Sequence, residues 1–462
     1  MLKLEYAKEA PTNAHIALVK ITEGKDSVVF VRENGRREIQ IGIGKKKEFT
    51  KRKLFLLPRK IISQAKANKL KKIALNFDEI QKLLPREKEE EVAEIIAANL
   101  ELANFEFVKY KTKPEEGWDF IEEVTLFGKI TAAIKRGAET GQLIGEETNA
   151  CRTLANTPGG EMTPSILAKE AEKAAEGTKI KVKVLGVSEI EKLKMGGILG
   201  VAKGSKEEPK FIVMEYKGGV EKPTVLIGKG VTFDTGGLNV KPGDSMNEMH
   251  MDMSGGAAVI HTIVLAAKLK LKKHLIALIP AVENMLSGES YRPGDILRSM
   301  SGKTIEVGNT DAEGRIILAD AITYAKTLQP ALVIDAATLT GSALAALGQR
   351  ASAVLSKDEK LTREIVEAGE ESGDYAWPLP LWDEYEEDIK GTFGDVSNTA
   401  KTRYGGTITA AMFLYQFAKE LNCPWVHIDI ASRMTTIEGE YLAKGAAGAP
   451  VQLLIQFLRS KK

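Results

Sequence analysis

Val307-Gly-Asn-Thr-Asp-Ala-Glu-Gly-Arg315 joins a polar, glycine-flanked segment to the apolar run Ile316–Ala325. Asp311 and Glu313 stand two residues apart, so in an extended segment both carboxylates leave the backbone on one face, an arrangement that suits a shared cation. The apolar run is predicted to form a helix, because its apolar residues recur at helical spacing. A polar strand-to-helix turn without a ligand is the competing interpretation of these residues alone.

Predicted strands alternate with helices on both sides of this stretch, which indicates an α/β fold. Several strands are near-continuous apolar runs, and such strands favour a mostly parallel sheet buried on both faces. The predicted strands are His15–Ile21, Val28–Val31, Leu54–Leu57, Ile73–Asn76, Phe105–Tyr110, Ile121–Phe127, Lys179–Leu185, Phe211–Tyr216, Thr224–Ile227, His274–Pro280, Ala331–Asp335 and Trp425–Ile430. The predicted helices are Lys60–Lys71, Arg86–Ala103, a helix from Pro164 that ends before Gly177, Ser254–Lys270, Gly314–Leu328 and Thr409–Leu421.

The length of 462 residues predicts two domains. Residues 1–128 are expected to form a smaller N-terminal α/β domain. Residues 129–462 are expected to form a larger, three-layer α/β/α domain around a mostly parallel central sheet. This second domain is predicted to open with a linker helix at 129–155, a weakly apolar stretch that contains three glycines.

Composition narrows the classes of protein. The chain has 65 basic and 63 acidic residues, a net charge of +2, which gives no electrostatic argument for a nucleic-acid or membrane partner. Cys151 and Cys423 are too few for a disulfide framework, and they lack the spacing of a zinc site. Charges interrupt the first nine residues, and no apolar run approaches the roughly 20 residues of a membrane-spanning helix. These features predict a cytoplasmic protein.

Charged residues cluster near the predicted strand ends of the second half of the chain. They are Lys229, Asp234, Lys241, Asp252, Asp311, Glu313 and Arg315. Because ligands gather at the carboxyl ends of parallel strands, we expect these side chains to converge. Four converging carboxylates repel one another unless cations neutralise them, and two divalent ions balance four negative charges. Hard oxygen ligands suit manganese, magnesium or zinc, and the ligand type alone does not identify the metal.

Other residues that resemble functional groups have simpler interpretations. His250 and His261 are interpreted as structural histidines, and His427 as part of an apolar core strand. The methionines between Met246 and Met253 either pack in the core or line a pocket for apolar side chains. The Gly-Lys-Gly segment around Lys229 lacks the spacing of a phosphate-binding loop.

Asn309-Thr-Asp-Ala-Glu-Gly-Arg315 resembles the signature of the leucine aminopeptidase (cytosol aminopeptidase) family of dimetal metallopeptidases. The intervals also agree with the family pattern: 5 residues from Lys229 to Asp234, 7 from Asp234 to Lys241, 18 from Asp234 to Asp252 and 59 from Asp252 to Asp311. The segments 156–164 and 337–341 resemble family segments as well. The resemblance is strong from residue 156 onward and covers the first 128 residues only in outline.

The resemblance implies that Lys229, Asp234, Asp252, Asp311 and Glu313 bind two divalent metal ions, manganese or zinc, in each subunit. It implies that Lys241 stabilises the oxyanion, that Arg315 holds a bicarbonate, and that Lys241, Asn309, Leu339 and Gly341 contact substrate. The implied activity is that of a leucyl aminopeptidase, a hydrolase that releases N-terminal amino acids, preferentially leucine-like ones, by metal-activated water attack on the first peptide bond. The implied partners are peptides with a free N-terminus, and the implied assembly is a homohexamer.

Two other hypotheses remain open. A different dimetal hydrolase, such as a phosphoesterase, is disfavoured because the motifs contain few basic groups for phosphate. Nucleic-acid binding by the N-terminal domain would use the basic clusters at 45–47 and 51–53. The small net charge and the absence of interleaved aromatic residues weaken that hypothesis.

Overall fold

The computed structural model describes residues 2–24, 28–33 and 35–461, and the chain divides into two compact units. The first contains Met1–Asn149 with Thr436–Lys444, and the second contains Ala150–Thr435 with Gly445–Lys462. Both units are α/β, as predicted. The domain boundary expected at residue 128 stays a prediction. None of the described helices is both long and apolar enough to cross a membrane.

The first unit is built on a mainly parallel sheet. Its elements are β1 Lys3–Ala7, β2 Ala17–Thr22, β3 Val28–Glu33, β4 Arg36–Gly42, α1 Lys51–Ala67, β5 Lys72–Asn76, α2 Phe77–Gln81, α3 Glu89–Asn104, β6 Glu123–Phe127 and α4 Ala132–Asn156, of which α4 continues into the second unit. Within the described residues the six strands lie in the order β1-β6-β5-β2-β4-β3. The β3–β4 pair is antiparallel and the other pairs are parallel.

Two strands predicted in this unit are wrong. Leu54–Leu57 lies inside helix α1, where Leu54, Leu57 and Ile61 are buried at helical spacing. The Thr50 hydroxyl accepts a hydrogen bond from the Lys53 amide at 3.4 Å and so caps the helix. A four-residue apolar run does not distinguish a strand from a buried helical face. Phe105–Tyr110 follows α3 without regular structure, and its residues are half-buried or exposed, so it has no fully buried face.

The glycines that make helix α4 weakly apolar lie at its contact with helix α3. Gly137 and Gly141 lie directly against helix α3, where an added Cβ would stand 2.0 Å from the Glu90 carbonyl oxygen and 2.2 Å from the Glu94 carbonyl oxygen. Gly145, one turn further on, is similarly close to a side chain of α3. The glycines therefore permit a backbone contact between two helices that larger residues would prevent.

The second unit contains a larger sheet covered by helices. Its elements are α5 Pro164–Ala175, β7 Ile180–Leu185, α6 Val187–Lys192, α7 Gly196–Ala202, β8 Lys210–Lys217, β9 Thr224–Gly228, β10 Gly230–Asp234, α8 Ser254–Lys268, β11 His274–Asn284, β12 Ile296–Arg298, β13 Thr304–Glu306, α9 Gly314–Thr327, β14 Leu332–Ala337, α10 Gly341–Leu347, β15 Ser352–Leu355, α11 Glu359–Ser372, β16 Ala376–Pro378, β17 Val396–Ser397, α12 Gly406–Ala418, β18 Trp425–Asp429 and α13 Val451–Ser460.

The nine strands found among the described residues of this sheet run β16-β15-β18-β14-β9-β11-β8-β7, with β10 paired to the far end of β11. Its centre, β18-β14-β9-β11, is parallel. Val225 and Ile227 of β9 belong to the hydrophobic core shared with α9 and α12. Alternate residues of the strand face the opposite side, and α8 also packs on the sheet. The predicted arrangement of helices around a mostly parallel sheet is confirmed.

The packing of α4 on α3 predicts the effect of Gly141→Ala. Alanine is the better helix former by about 1 kcal/mol, yet its Cβ would collide with the backbone of α3. Since overpacking costs about 1–3 kcal/mol, we expect the substitution to lower the midpoint of thermal unfolding measured by circular dichroism. Gly160→Ala, where an added Cβ meets nothing within 4 Å, is the control. A higher midpoint for Gly141→Ala would show that the helices do not approach this closely.

Candidate metal centre

Three carboxylates from separate parts of the second unit meet at the end of its parallel strands. Asp234 ends β10, Asp252 precedes α8, and Glu313 precedes α9. All three are buried, and candidate ligand atoms of the three lie within 4.8 Å of one another. The convergence expected from the sequence is therefore present for these residues.

Lys229 lies at the centre of this group, in the break between β9 and β10. Its ammonium nitrogen is 2.8 Å from Asp252 Oδ2 and 2.8 Å from Glu313 Oε1, and it donates a hydrogen bond to the Thr338 carbonyl at 3.0 Å. Gly314 leaves room for it, because a Cβ there would stand 2.7 Å from Lys229 Nζ. The strand break thus points a buried cation into the acidic cluster.

A glycine pair explains how Asp252 reaches the cluster. Gly255 and Gly256 begin helix α8, where a Cβ on Gly255 would stand 2.1 Å from the Ala336 carbonyl oxygen of β14. The Gly256 amide donates a hydrogen bond to the Lys229 carbonyl at 2.7 Å. The helix therefore starts directly against the ends of two parallel strands and carries Asp252 to them.

Lys241 joins the fourth carboxylate to the cluster. Its ammonium nitrogen is 2.7 Å from Asp234 Oδ2 and 2.6 Å from Asp311 Oδ1. The Asp311 side chain is 30% exposed, whereas that of Asp234 is 2% exposed. Asp311 and Lys241 therefore form the edge of the site that solvent reaches.

The charges in the site do not balance. When all four carboxylates are ionised, they outnumber the two ammonium groups of Lys229 and Lys241 by two in a largely buried space. Burial raises the pKa of Asp252 to about 6 and holds that of Asp234 well above its usual range. Burial acts in the same direction on Glu313, but Lys229 and Lys241 outweigh it and lower the pKa of that carboxyl. A cluster of oxygen donors with excess negative charge fits divalent cations.

Two hydrogen-bond partners of the carboxylates were missed by sequence reasoning. The Asn284 amide donates to Asp234 Oδ1 at 2.8 Å, and the Thr338 hydroxyl donates to Asp252 Oδ1 at 2.7 Å. Asn284 ends β11 and Thr338 directly follows β14. Both positions are carboxyl ends of strands beside β9, so the rule that predicted the convergence of the acidic residues applies to these residues as well.

Asn309 and Arg315 stand on either side of the acidic pair. The Asn309 side-chain oxygen accepts a hydrogen bond from the Asp311 amide at 2.8 Å. Arg315 Nη1 donates to the Asn398 carbonyl at 2.8 Å. Arg315 is buried, and burial lowers the pKa of its guanidinium to about 10 even though Glu313 favours the charged form.

Leu339 and Gly341 follow the same strand end as Thr338. The Leu339 amide donates to Asp429 Oδ1 at 3.1 Å, and Gly341 is the exposed first residue of α10. Asp429 is fully buried at the end of β18, and its other oxygen accepts a hydrogen bond from the Thr340 hydroxyl at 2.7 Å. One carboxylate therefore holds the loop between β14 and α10.

Within the described residues, the group of candidate ligand atoms contains no histidine. His427 is fully buried in β18, with Nδ1 2.5 Å from Asp335 Oδ1, which confirms its predicted place in the core. His261 is buried in α8. His250 is half-buried, and burial lowers the pKa of its imidazole.

The hydrogen bond from Thr338 predicts a measurable effect on metal binding. Thr338→Val keeps the shape of the side chain but removes the hydroxyl that donates to Asp252 Oδ1, while the contact of Oδ2 with Lys229 remains. Loss of an outer hydrogen bond to a ligand typically costs about 10–100-fold in metal affinity, and we expect that loss for Mn²⁺ by isothermal titration calorimetry. Thr338→Ser keeps the hydroxyl and is expected to bind Mn²⁺ like the unmodified protein. Equal affinity in the valine variant would exclude this role for Thr338.

Comparison with known proteins extends these observations. Residues 149–455 match the model for the cytosol aminopeptidase family, catalytic domain, and residues 17–114 match the model for the N-terminal domain of that family. A probable cytosol aminopeptidase of Azoarcus sp. (strain BH72) is 49% identical over 332 residues, which cover 71% of this chain and 65% of the relative. One from Aromatoleum aromaticum is 49% identical over 337 residues, covering 72% and 66%. The matches thus span just under two thirds of the length of these relatives.

Solved structures agree in fold. The bottromycin maturation enzyme BotP superposes with a TM-score of 0.86 at 27% identity, covering 96% of this chain and 98% of BotP. A structure of BotP in complex with Mn gives a TM-score of 0.87 at 27% identity, covering 97% and 99%. The two family-model matches and the superposed structures thus indicate the same family. The chain belongs to the cytosol aminopeptidase family.

Proposed function

We propose that the chain is a dimetal aminopeptidase that releases N-terminal amino acids, preferentially leucine-like ones, from peptides with a free N-terminus. The observation that carries the proposal is the buried cluster of Asp234, Asp252 and Glu313, extended by Lys241 to Asp311. Family membership and the manganese complex of BotP support it. A surplus of buried negative charge attracts divalent cations, and carboxylate oxygens are suitable ligands for them.

The metal-binding roles are part of the proposal, and the grouping of Asp234, Asp252 and Glu313 supports them. We assign Lys229, Asp234, Asp252, Asp311 and Glu313 as the residues that would hold two ions, manganese or zinc. Such ions, when bound, supply a nucleophilic water near neutral pH and polarise the substrate carbonyl. Lys229 must bind as the neutral amine, since an ammonium has no lone pair. Burial lowers the pKa of Lys229, but the neighbouring carboxylates outweigh burial and raise it. Adjacent dications would act against the carboxylates and favour the neutral amine.

Lys241 is assigned to the oxyanion. Its ammonium group lies at the accessible edge of the cluster, between Asp234 and Asp311, where a substrate carbonyl can approach. A fixed cation there stabilises negative charge as it develops on the carbonyl oxygen. We assign substrate contacts to Asn309, Leu339 and Gly341, which lie on the loops that flank the cluster.

Arg315 is assigned to a bicarbonate that carries the proton. Its Nε atom is buried and has no hydrogen-bond partner among the described residues, while Nη1 is held by the Asn398 carbonyl. A planar anion fits a guanidinium through two parallel hydrogen bonds, so bicarbonate would satisfy the unpaired donor. The carboxylates of the cluster are committed to cations, which leaves the proton to another group.

The proposal also covers the oligomeric state of the protein and its location in the cell. A homohexamer and a cytoplasmic location are inferred from family membership, and light scattering on the purified protein measures the first directly. Nucleic acid is not proposed as a partner, because the net charge is only +2.

The activity is tested with leucine p-nitroanilide. Protein supplied with Mn²⁺ or Zn²⁺ is expected to release p-nitroaniline, and a chelator is expected to abolish the release. N-acetyl-leucine p-nitroanilide is the control, because a blocked amine cannot bind as a free N-terminus does. Absence of turnover with every divalent metal would contradict the proposal, and hydrolysis of p-nitrophenyl phosphate instead would favour the phosphoesterase.

The role of Lys241 is tested by Lys241→Ala. Loss of one oxyanion donor costs about 10²–10³-fold in kcat, so we expect a fall of that size in metal-loaded protein whose metal content matches the unmodified chain. Lys222→Ala removes an exposed lysine of the same unit and is expected to leave kcat unchanged. Full activity in Lys241→Ala would remove this assignment.

A further inference from the structure

Asn398 is a fully buried polar residue, and the proposed function uses only its backbone carbonyl, which accepts a hydrogen bond from Arg315. It follows β17, which pairs parallel with β13 in a small sheet beside the candidate metal centre. The Asn398 amide donates to the Glu306 carbonyl at 3.0 Å and continues that pairing by one residue. Its side chain therefore lies next to the segment that follows β13, residues 308–315, which carries Asp311 and Glu313.

The side-chain oxygen and the side-chain nitrogen of Asn398 both form hydrogen bonds with the backbone of this segment. Its oxygen accepts hydrogen bonds from the Gly308 amide at 2.8 Å and the Asn309 amide at 3.3 Å. Its nitrogen donates to the Asn309 carbonyl at 2.7 Å and the Ala312 carbonyl at 3.3 Å. An asparagine side chain has two donors and an acceptor oxygen with two lone pairs, so its full capacity is used.

The backbone of Asn398 binds the end of the same segment. Its carbonyl accepts the hydrogen bond from Arg315 Nη1 at 2.8 Å. The next residue, Thr399, lies so close to Gly308 that an added Cβ on the glycine would stand 2.1 Å from the Thr399 hydroxyl. Asn398 thus holds residues 308, 309, 312 and 315 at once, and Asp311 and Glu313 lie within that span.

We infer that Asn398 is a positioning residue: it fixes the backbone of residues 308–315 and thereby the distance of Asp311 and Glu313 from Asp234 and Asp252. The inference rests on the two-metal site of the proposed function. Carboxylates on an unconstrained loop would have to be ordered each time cations bind, whereas a fixed backbone presents them in place. The same asparagine holds Arg315, so the ligand segment and the guanidinium are set by one residue.

The chain offers a matched control in its first unit. Asn104 is also buried, and it also uses its side chain on backbone groups, donating to the Ile121 carbonyl and accepting from the Ile121 amide, both at 2.9 Å. Its bonds hold a loop that carries none of the proposed ligands. Asn104→Ala therefore shows what the loss of a buried asparagine does to stability alone.

The test measures Mn²⁺ affinity by isothermal titration calorimetry and by the electron paramagnetic resonance signal of free Mn²⁺, together with the midpoint of thermal unfolding. We expect Asn398→Ala to bind Mn²⁺ about 10–100-fold more weakly than the unmodified protein, the range found when an outer partner of metal ligands is lost. Asn104→Ala is expected to lower the unfolding midpoint while leaving Mn²⁺ affinity unchanged. Asn398→Ser, which keeps a small hydrogen-bonding group, serves where the alanine variant does not fold, and it is expected to bind Mn²⁺ more weakly too.

The outcomes separate the inference from the proposed function. If the unmodified protein binds Mn²⁺ and both Asn398 variants bind it equally well, Asn398 does not position the ligands, although the metal site stands. If Asn104→Ala weakens Mn²⁺ binding as much as Asn398→Ala does, the effect is one of general stability and the inference fails. If the unmodified protein binds no divalent cation, the proposed site and the inference fail together.

Discussion

The proposed function depends on one electrostatic constraint, the gathering of three buried carboxylates and the partly exposed Asp311 beside two lysines. Buried charge is tolerated only when it is paired, and here the four carboxylates, when ionised, outnumber the two ammonium groups by two. The arrangement is costly for a protein that uses it only for stability, because apolar residues would fill the same space at less cost. A site that receives divalent cations explains why the acidic groups are gathered.

The fold meets this constraint by ending parallel strands together and starting helices against them. The break between β9 and β10 turns Lys229 inward, and a glycine pair lets α8 begin at the sheet with Asp252 before it. The segment before α9 is held from outside by Asn398, while the loop after β14 is held by Asp429. The proposed ligands Lys229, Asp252 and Glu313 therefore stand on backbone that is fixed by close glycine contacts or by a buried polar side chain.

The sequence was sufficient to predict the α/β class and most strands and helices, because periodicity is a local property of a chain. Charged residues at predicted strand ends, together with the family resemblance, pointed to Asp234, Asp252 and Glu313, which the structure brings together. It was insufficient where neighbours from distant segments decide the outcome. Leu54–Leu57 has the composition of a strand but belongs to α1, whose cap and buried face fix it as helix. Asn398 lies about 90 residues from the backbone it holds and carries no motif, so only the pairing of β17 with β13 reveals its position. Thr338 and Asn284 lie at carboxyl ends of strands, where ligand-binding groups are expected. Identifying them required knowing that their strands are adjacent to β9.

The central claim is that the acidic cluster is a binding site for two cations, and anomalous diffraction from crystals grown with Mn²⁺ tests it most directly. The account predicts two manganese peaks among Asp234, Asp252, Asp311 and Glu313, with Lys229 Nζ within bonding distance of one of them. Manganese peaks only at other places on the molecule, or a cluster in which the two lysines remain the sole cations at saturating Mn²⁺, would contradict it.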